Sequence, residues 1–130
     1  MSAPNTSSDA SLYRRLGGYD VIAAVIDDLF ARMRADPRFE RFGAGRSLDS
    51  RRRAQQLTVD QICLSSGGPC YYTGRDMRTS HAGLGISESE WAVFLEMITK
   101  TLENHSIGPR EQSEFLELFE RYKNDIVETA

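Results

Sequence analysis

The amino-acid sequence predicts an all-α fold. Apolar residues recur at the i, i+3, i+4, i+7 spacing of an amphipathic helix in several segments, and glycine or proline separates these segments. No segment alternates apolar and polar residues as a half-buried strand does. The length of 130 residues suits one domain, which we predict at residues 11–130, after a polar tail at residues 1–10 that we expect to be disordered.

The first half of the chain carries the clearest helical pattern. The stretch SLYRRLGG predicts a short helical turn that ends at Gly17-Gly18. Asp20 can cap the next helix, which should end near Asp36-Pro37 because a residue before proline avoids the helical region. The apolar face of this helix comprises Ile22, Val25, Ile26, Leu29, Phe30 and Met33.

A corner and a second long helix follow. The stretch RFERFGAGRSLDS is typical of a connection, with Phe39 and Phe42 as its apolar anchors. Residues 47–66 predict a helix that is closed by the turn at residues 67–69. The side chains expected to face inward are those of Ala54, Leu57 and Ile62, with Thr58 or Cys63 beside them.

The remaining chain predicts a loop and two more helices. Residues 70–86 are mostly loop, with one helical turn before His81. The sequence SESE then forms a capping box from Ser87 to Glu90. In the helix that it starts, the side chains expected to face the protein interior are those of Trp91, Phe94, Leu95, Ile98 and Leu102. Pro109 suits the first position of the last helix, whose apolar face comprises Phe115, Leu118, Phe119, Tyr122 and Ile126.

The composition argues against several classes of protein. A net charge of −3 disfavours general nucleic-acid binding, and the three arginines at positions 51–53 are typical of a solvated helix face. No stretch approaches the roughly 18 to 20 apolar residues of a membrane span. The polar N-terminus lacks the apolar core of a secretory signal. We therefore expect a cytoplasmic protein in which Cys63 and Cys70 are reduced thiols.

Few residues offer chemistry in such a chain. No phosphate-binding glycine loop, zinc-ligand spacing or nucleophile–base motif is present in the sequence. His81 is one of two histidines and has several large apolar residues near it in sequence: Met77, Leu84, Ile86, Trp91 and Phe94. An imidazole beside so much apolar surface suits a flat apolar cofactor that needs one axial nitrogen, and haem is such a cofactor.

Three stretches of the sequence resemble the truncated haemoglobins, the short bacterial globins with a two-over-two helical sandwich around haem, and in particular their first group. SLYRRLGGYDVIAAVIDDLFARMRADPRF is similar to the family's N-terminal signature. GGPCYYTGRDMRTSHAGLGIS is similar to its glycine pair, its YTG segment and its proximal-histidine segment. The helices after residue 87 match its last two helices, so that the resemblance covers residues 11–128.

The resemblance implies a haem site whose iron ligand is His81. It places Met77, Leu84, Ile86, Trp91 and Phe94 along the haem on the histidine side. It puts Tyr72 near the haem edge, with Arg75 or Arg78 as the partner of a propionate.

On the opposite, distal side the chain departs from the family. The first group usually has a tyrosine where this chain has Phe30. A gapless count back from the glycine pair puts Ala54 and Thr58 over the iron, with Leu57 and Ile62 lining the pocket, whereas a gap within the helix brings in Gln56 instead. Phe42 matches the aromatic residue of the corner.

The sequence therefore predicts a haem protein that reversibly binds O2, CO or NO at a non-covalent haem b with a single histidine ligand. His105, near a helix end, is predicted to be a C-terminal cation and not a second ligand. The alternatives are a nitric oxide dioxygenase or peroxidase-like enzyme and, third, a haem-free helical interaction module. The expected partners are the gas and a reductase, and we expect a monomer or weak dimer without nucleic-acid or membrane partners.

Overall fold

The computed structural model describes residues 10–43 and 45–130, which contain helices and no β-strand. The predicted all-α class is confirmed for this part of the chain. The predicted disorder of the tail concerns residues that, Ala10 excepted, lie outside the described ranges. The helices are α1 (Leu12–Leu16), α2 (Tyr19–Ala35), a 3-10 turn (Pro37–Phe39), α3 (Glu40–Gly43), α4 (Leu48–Ser65), α5 (Met77–His81), α6 (Glu88–Asn104), α7 (Pro109–Glu120) and α8 (Lys123–Ile126).

Two helix pairs form the body of the protein. α2 packs against α4, α6 packs against α7, and α2 also contacts α6, so that the two pairs lie on one another. One apolar cluster fills the space between them, with members from α1, α2, α4, α6 and α7. None of the described helices is long and apolar enough to cross a lipid bilayer.

The short helix α1 is fixed to α7 by an ion-pair network. The Arg15 guanidinium donates to Glu114 at 2.6 Å and to Glu111 at 2.7 Å, and its side chain is only 9% exposed. These hydrogen bonds, the one to Glu114 first, raise the pKa of Arg15, so its guanidinium is charged at every ordinary pH. It holds the N-terminal turn against the last long helix.

α2 follows the predicted apolar stripe but begins differently. Asp20 is not its N-cap, because the chain turns at Gly17 and Gly18 with φ values of 113° and 87° and the helix starts directly at Tyr19. The Tyr13 hydroxyl accepts from the Tyr19 amide at 3.1 Å and takes over the role of a cap. The helix ends before Asp36-Pro37, as predicted. The buried members of its stripe are Ile22, Val25, Ile26 and Leu29.

α4 occupies almost the predicted range. Ser47 caps it by accepting from the Ser50 amide at 3.0 Å, and the helix runs without a break to Ser65. Its buried residues are Val59, Ile62 and Cys63, whereas Ala54, Leu57 and Thr58 are half-buried.

The C-terminal helices confirm the capping box and correct one boundary. The Ser87 hydroxyl accepts from the Glu90 amide at 3.1 Å, and the Glu90 carboxylate accepts from the Ser87 amide at 3.0 Å. Tyr122 and Ile126 do not continue the last long helix: α7 ends at Glu120, and a turn at Tyr122 leads into α8. In that turn the Tyr122 amide donates to the Phe119 carbonyl at 2.9 Å, which is the spacing of a 3-10 turn.

The prediction of reduced thiols is wrong, since Cys63 and Cys70 form a disulfide with a Cα–Cα distance of 5.8 Å. The turn at Gly67 and Gly68 brings Cys70 back onto the last turn of α4, and Gly67 has a φ of 100°. At Gly68 a Cβ would lie 2.7 Å from the Cys63 sulfur, so only glycine fits the close return. The expected cellular compartment says nothing about how closely the chain returns on itself, so it could not predict this disulfide. The cytoplasmic location stays a prediction.

We expect reduction of this disulfide to destabilise the fold moderately. The two cysteines are 7 residues apart, and a cross-link that closes so short a loop contributes about 2.5 kcal/mol to the free energy of unfolding. Guanidinium denaturation with and without dithiothreitol measures the difference. The Cys63→Ala, Cys70→Ala double variant is the control, because its stability should not respond to dithiothreitol. Equal stability of the wild-type protein before and after both thiols become titratable would contradict the prediction.

Candidate functional site

His81 is the last residue of α5, a helix of five residues. Asp76 caps this helix by accepting from the Thr79 amide at 2.7 Å, and hydrogen bonding by Thr79 lowers the pKa of the Asp76 carboxyl. After His81 the chain becomes extended at Ala82. The histidine therefore stands at the end of a single capped helical turn.

The His81 imidazole is oriented through its Nδ1 atom. Nδ1 lies 2.9 Å from the Met77 carbonyl oxygen and 2.9 Å from the Ser80 hydroxyl oxygen. A carbonyl oxygen can only accept a hydrogen bond, so we assign the proton to Nδ1, which donates a hydrogen bond to the Met77 oxygen. The Nε2 lone pair is then available to a ligand, and among the described residues Nε2 makes no hydrogen bond. This is the tautomer that binds a metal ion through Nε2, with the other ring nitrogen fixed by a backbone carbonyl.

The apolar residues predicted on the histidine side differ in their burial. Met77 and Ile86 are half-buried, Leu84 is 38% exposed, and Trp91 is only 4% exposed. The Trp91 indole ring lies 5.7 Å from the Phe94 ring. The Trp91 Nε1 atom is buried and has no acceptor among the described residues. An unpaired buried donor costs about 1–3 kcal/mol, and a bound group with acceptor atoms would relieve it, so these residues fit a haem.

The loop after His81 is held by the C-terminal segment. The Glu128 carboxylate accepts from the amides of Gly83 at 3.1 Å and Gly85 at 2.7 Å, and the Glu128 amide donates to the Ile86 carbonyl at 2.8 Å. Hydrogen bonds from Gly83 and then Gly85 lower the pKa of the Glu128 carboxyl. Both glycines have positive φ, which turns their amides toward one carboxylate.

Arg41 joins the corner between α2 and α4 to the same loop. Its guanidinium donates to the Leu84 carbonyl at 2.6 Å and to the Glu90 carboxylate at 2.8 Å. The same guanidinium lies 4.1 Å above the centre of the Phe42 ring. Phe42, predicted to contact the haem at this corner, is half-buried and is thereby fixed against the loop that follows His81.

The predicted distal residues present no free donor. Phe30 is half-buried and has no hydroxyl, and the Thr58 hydroxyl donates within its own helix to the Ala54 carbonyl at 2.9 Å. Gln56 is exposed and donates to the Tyr19 hydroxyl at 2.8 Å. Whether Ala54 and Thr58 or Gln56 face a bound ligand stays a prediction. Gln55 is likewise engaged, with Asp27 at 3.0 Å.

The polar residues predicted at the haem edge have partners of their own. The Tyr72 hydroxyl donates to the Arg75 carbonyl, and burial raises the pKa of Tyr72. The Arg78 guanidinium donates to Asp125 of α8 at 2.7 Å. Arg75 is exposed and forms no ion pair within the described ranges, so of the two arginines it is the one left for a propionate. That assignment stays a prediction.

The sequence alone did not identify Arg41 and Glu128, which hold the loop after His81, and it did not assign Phe119 to the site. Arg41 and Glu128 act across about 45 residues of chain, and no local pattern marks them. Phe119 packs edge-on against Phe94, with ring centres 5.6 Å apart. The predicted apolar face of the last helix already contained Phe119, so that signal was available. His105 is the C-cap of α6, and its Nε2 atom lies 3.1 Å from the Asp28 carboxylate, away from the His81 segment.

Comparisons with known proteins agree with this architecture. Residues 11–128 match the family model described as bacterial-like globin. The chain is 27% identical over 107 residues to the group 1 truncated hemoglobin GlbN of Mycolicibacterium paratuberculosis, over 82% of this chain and 76% of the relative. It is 23% identical over 127 residues to the group 1 truncated hemoglobin of Tetrahymena pyriformis, over 98% of each.

Solved structures show the same fold. The truncated hemoglobin of Tetrahymena pyriformis in its Fe(III) form superimposes with a TM-score of 0.82 at 21% identity, over 91% of this chain and 98% of that one. The 2/2 hemoglobin of Synechococcus sp. in the cyanomet state, with covalently attached heme, superimposes with a TM-score of 0.81 at 22% identity, over the same shares. The two packed helix pairs are thus the predicted two-over-two sandwich.

The Glu128 contact predicts a pH-dependent contribution to stability. Since the pKa of Glu128 is lowered in the folded state, its stabilising effect is complete above the ordinary glutamate pKa and is lost as the pH falls through the lowered value. Glu128→Gln should therefore be less stable than wild type at pH 7, and the difference should shrink at acid pH. Urea denaturation at pH 7 and pH 3.5, with hydrogen exchange of the Gly83 and Gly85 amides, measures this.

Glu117→Gln is the matched control, because Glu117 is exposed and makes no side-chain hydrogen bond or ion pair within the described ranges. Its stability relative to wild type should be the same at both pH values. A Glu128→Gln effect that is as large at pH 3.5 as at pH 7 would contradict a role for the charge.

Proposed function

The chain belongs to the bacterial-like globin family, and from that premise we propose that it binds a non-covalent haem b, with His81 as its only protein ligand, and reversibly binds a diatomic gas. The observation that carries the proposal is the contact of His81 Nδ1 with the Met77 carbonyl oxygen at 2.9 Å. This contact favours the tautomer with the proton on Nδ1, which leaves Nε2 for the iron.

The chain's own residues would hold the haem by apolar contact and by orientation of one imidazole. Met77, Leu84 and Ile86 offer apolar surface on the His81 side, and Phe42 offers it at the corner. Haem held by these residues would supply an iron that can take a diatomic gas. The Met77 carbonyl keeps the imidazole in the ligating tautomer and limits its rotation.

The distal side favours rapid exchange of the gas over tight retention. Phe30 and Ala54 have no donor, and the Thr58 proton is used within α4. A neutral hydrogen bond to a bound ligand would contribute roughly 0.5–1.5 kcal/mol, and these residues do not supply it. They also supply no group that could give or take a proton, which peroxidase-like chemistry would require. Reversible gas binding is therefore the proposed function, ahead of the peroxidase-like alternative.

Haem titration tests the ligand assignment. Haemin added to the apoprotein should give a sharp Soret band with the spectrum of a histidine-ligated haem, and His81→Gly should lose it. Free imidazole should restore the band in His81→Gly if the fold is intact, which circular dichroism verifies. His105→Ala is the matched histidine control and should bind haem like wild type. A normal spectrum in His81→Gly without imidazole would refute the proposal.

A tyrosine at position 30 should slow gas release. Phe30→Tyr adds the hydroxyl that the first group of truncated haemoglobins usually has there. One added neutral hydrogen bond should lower the O2 dissociation rate by about 2- to 10-fold. Stopped-flow displacement of O2 by CO measures this rate. Phe39→Tyr, the same change at a corner residue outside the predicted site, should leave the rate unchanged. An unaltered rate in Phe30→Tyr would mean that Phe30 does not face the ligand.

A further inference from the structure

A groove between α2 and α4 contains several arginines that the proposed function does not use. Its volume is about 490 Å³. α2 contributes Ala23, Asp27 and Arg34 to its walls, and α4 contributes Leu48, Arg51, Arg52, Gln55, Gln56 and Val59. Arg51 and Arg52 belong to the basic run that the sequence alone assigned to a solvated helix face.

The charge of this groove is not neutralised. Arg34, Arg51 and Arg52 are exposed and form no ion pair with any residue in the ranges 10–43 and 45–130. The one carboxylate in the groove, that of Asp27, already accepts a hydrogen bond from Gln55 at 3.0 Å. Among the described residues outside the groove, Arg15, Arg32, Arg38, Arg41, Arg78 and Arg110 pair with carboxylates, whereas Arg14, Arg46, Arg53, Arg75 and Arg121 do not. The groove differs from these single positions because it brings three unpaired guanidiniums together on a chain with a net charge of −3.

The groove lies next to the predicted haem pocket. With 3.6 residues per turn, Leu57 lies on the side of α4 roughly opposite the groove residues, whereas Ala54 and Thr58 stand three and seven residues after Arg51 and so lie beside the groove. A partner in the groove would therefore lie within about one helix diameter, roughly 10 Å, of the predicted pocket.

We propose that this groove is the docking surface for an acidic electron-donor protein that keeps the haem iron ferrous. The inference rests on the proposed function, because a gas-binding haem must be returned to Fe(II) after it oxidises. One electron passes from the reduced centre of the donor, such as a [2Fe–2S] cluster, to Fe(III), and the donor is oxidised by one electron. No atom is transferred.

Charge and size favour such a partner over a polyanionic nucleic acid. Transient electron-transfer encounters use small interfaces in which opposite charges steer association. Three unpaired guanidiniums supply the charge, and Leu48, 54% exposed, adds an apolar contact. The acidic remainder of the chain would repel a long polyanion but not a small acidic patch.

The test compares two reductants of the ferric holoprotein. Flash photolysis measures its reduction by a photoreduced acidic plant-type ferredoxin and by photoreduced free flavin, which needs no docking surface. With ferredoxin, the second-order rate should fall about 10-fold or more as ionic strength rises, as electrostatic steering requires. The triple variant R34E/R51E/R52E should lose a similar factor at low salt, while its rate with flavin stays as in wild type.

A second triple variant controls for total charge. R14E/K100E/R121E changes the net charge by the same amount at exposed positions outside the groove. It should keep most of the ferredoxin rate. An equal loss in both variants, or a ferredoxin rate that does not depend on salt, would overturn the proposal.

Binding measurements complete the test. Calorimetry at low salt should show ferredoxin binding to the wild-type holoprotein but not to the groove variant. Tighter binding of single-stranded DNA than of ferredoxin at the same arginines would also overturn the proposal. An unchanged Soret band in the groove variant shows that haem binding is intact, so that a failure of docking is distinguishable from a failure of the proposed function.

Discussion

The arrangement of the site depends on the hydrogen bond from His81 Nδ1 to the Met77 carbonyl. It selects the tautomer, aims Nε2 away from the backbone and joins both ends of α5. A helix of five residues has almost no stability of its own, because forming the first turn loses more conformational entropy than its few hydrogen bonds offset. The imidazole is therefore only as well placed as the contacts that hold α5 from outside.

Those contacts come from distant parts of the chain. Asp125 of α8 pairs with Arg78, and Glu128 binds the two glycine amides after the histidine. From the other side, Arg41 binds the Leu84 carbonyl and covers the Phe42 ring. The Asp125 contact holds α5 itself, whereas the Glu128 and Arg41 contacts meet at residues 82–87, the loop that links the histidine to the first turn of α6.

The parts of the structure that follow local rules were predictable. The stripe of α2, the pre-proline stop at Asp36 and the capping box at Ser87 depend on residues within one or two turns of each other. His81 could be singled out because so few residues in this chain carry ligand chemistry. Arg41 and Glu128 could not, because a surface arginine or glutamate has many partners within reach until the fold selects one. The disulfide was not predicted for a related reason. Its formation depends on the close return of the chain at Gly68, which the expected compartment does not reveal.

The long span of the Glu128 contact has a consequence for the order of events during synthesis. Gly83 and Glu128 are 45 residues apart. A ribosome adds roughly 5–20 residues per second, so the carboxylate emerges some seconds after the loop that it binds. Throughout that interval the loop after His81 lacks its hydrogen bonds to the Glu128 carboxylate. A cofactor that reaches the growing chain early meets the His81 imidazole before Glu128 holds the loop that follows it, whereas one that arrives later meets the complete site.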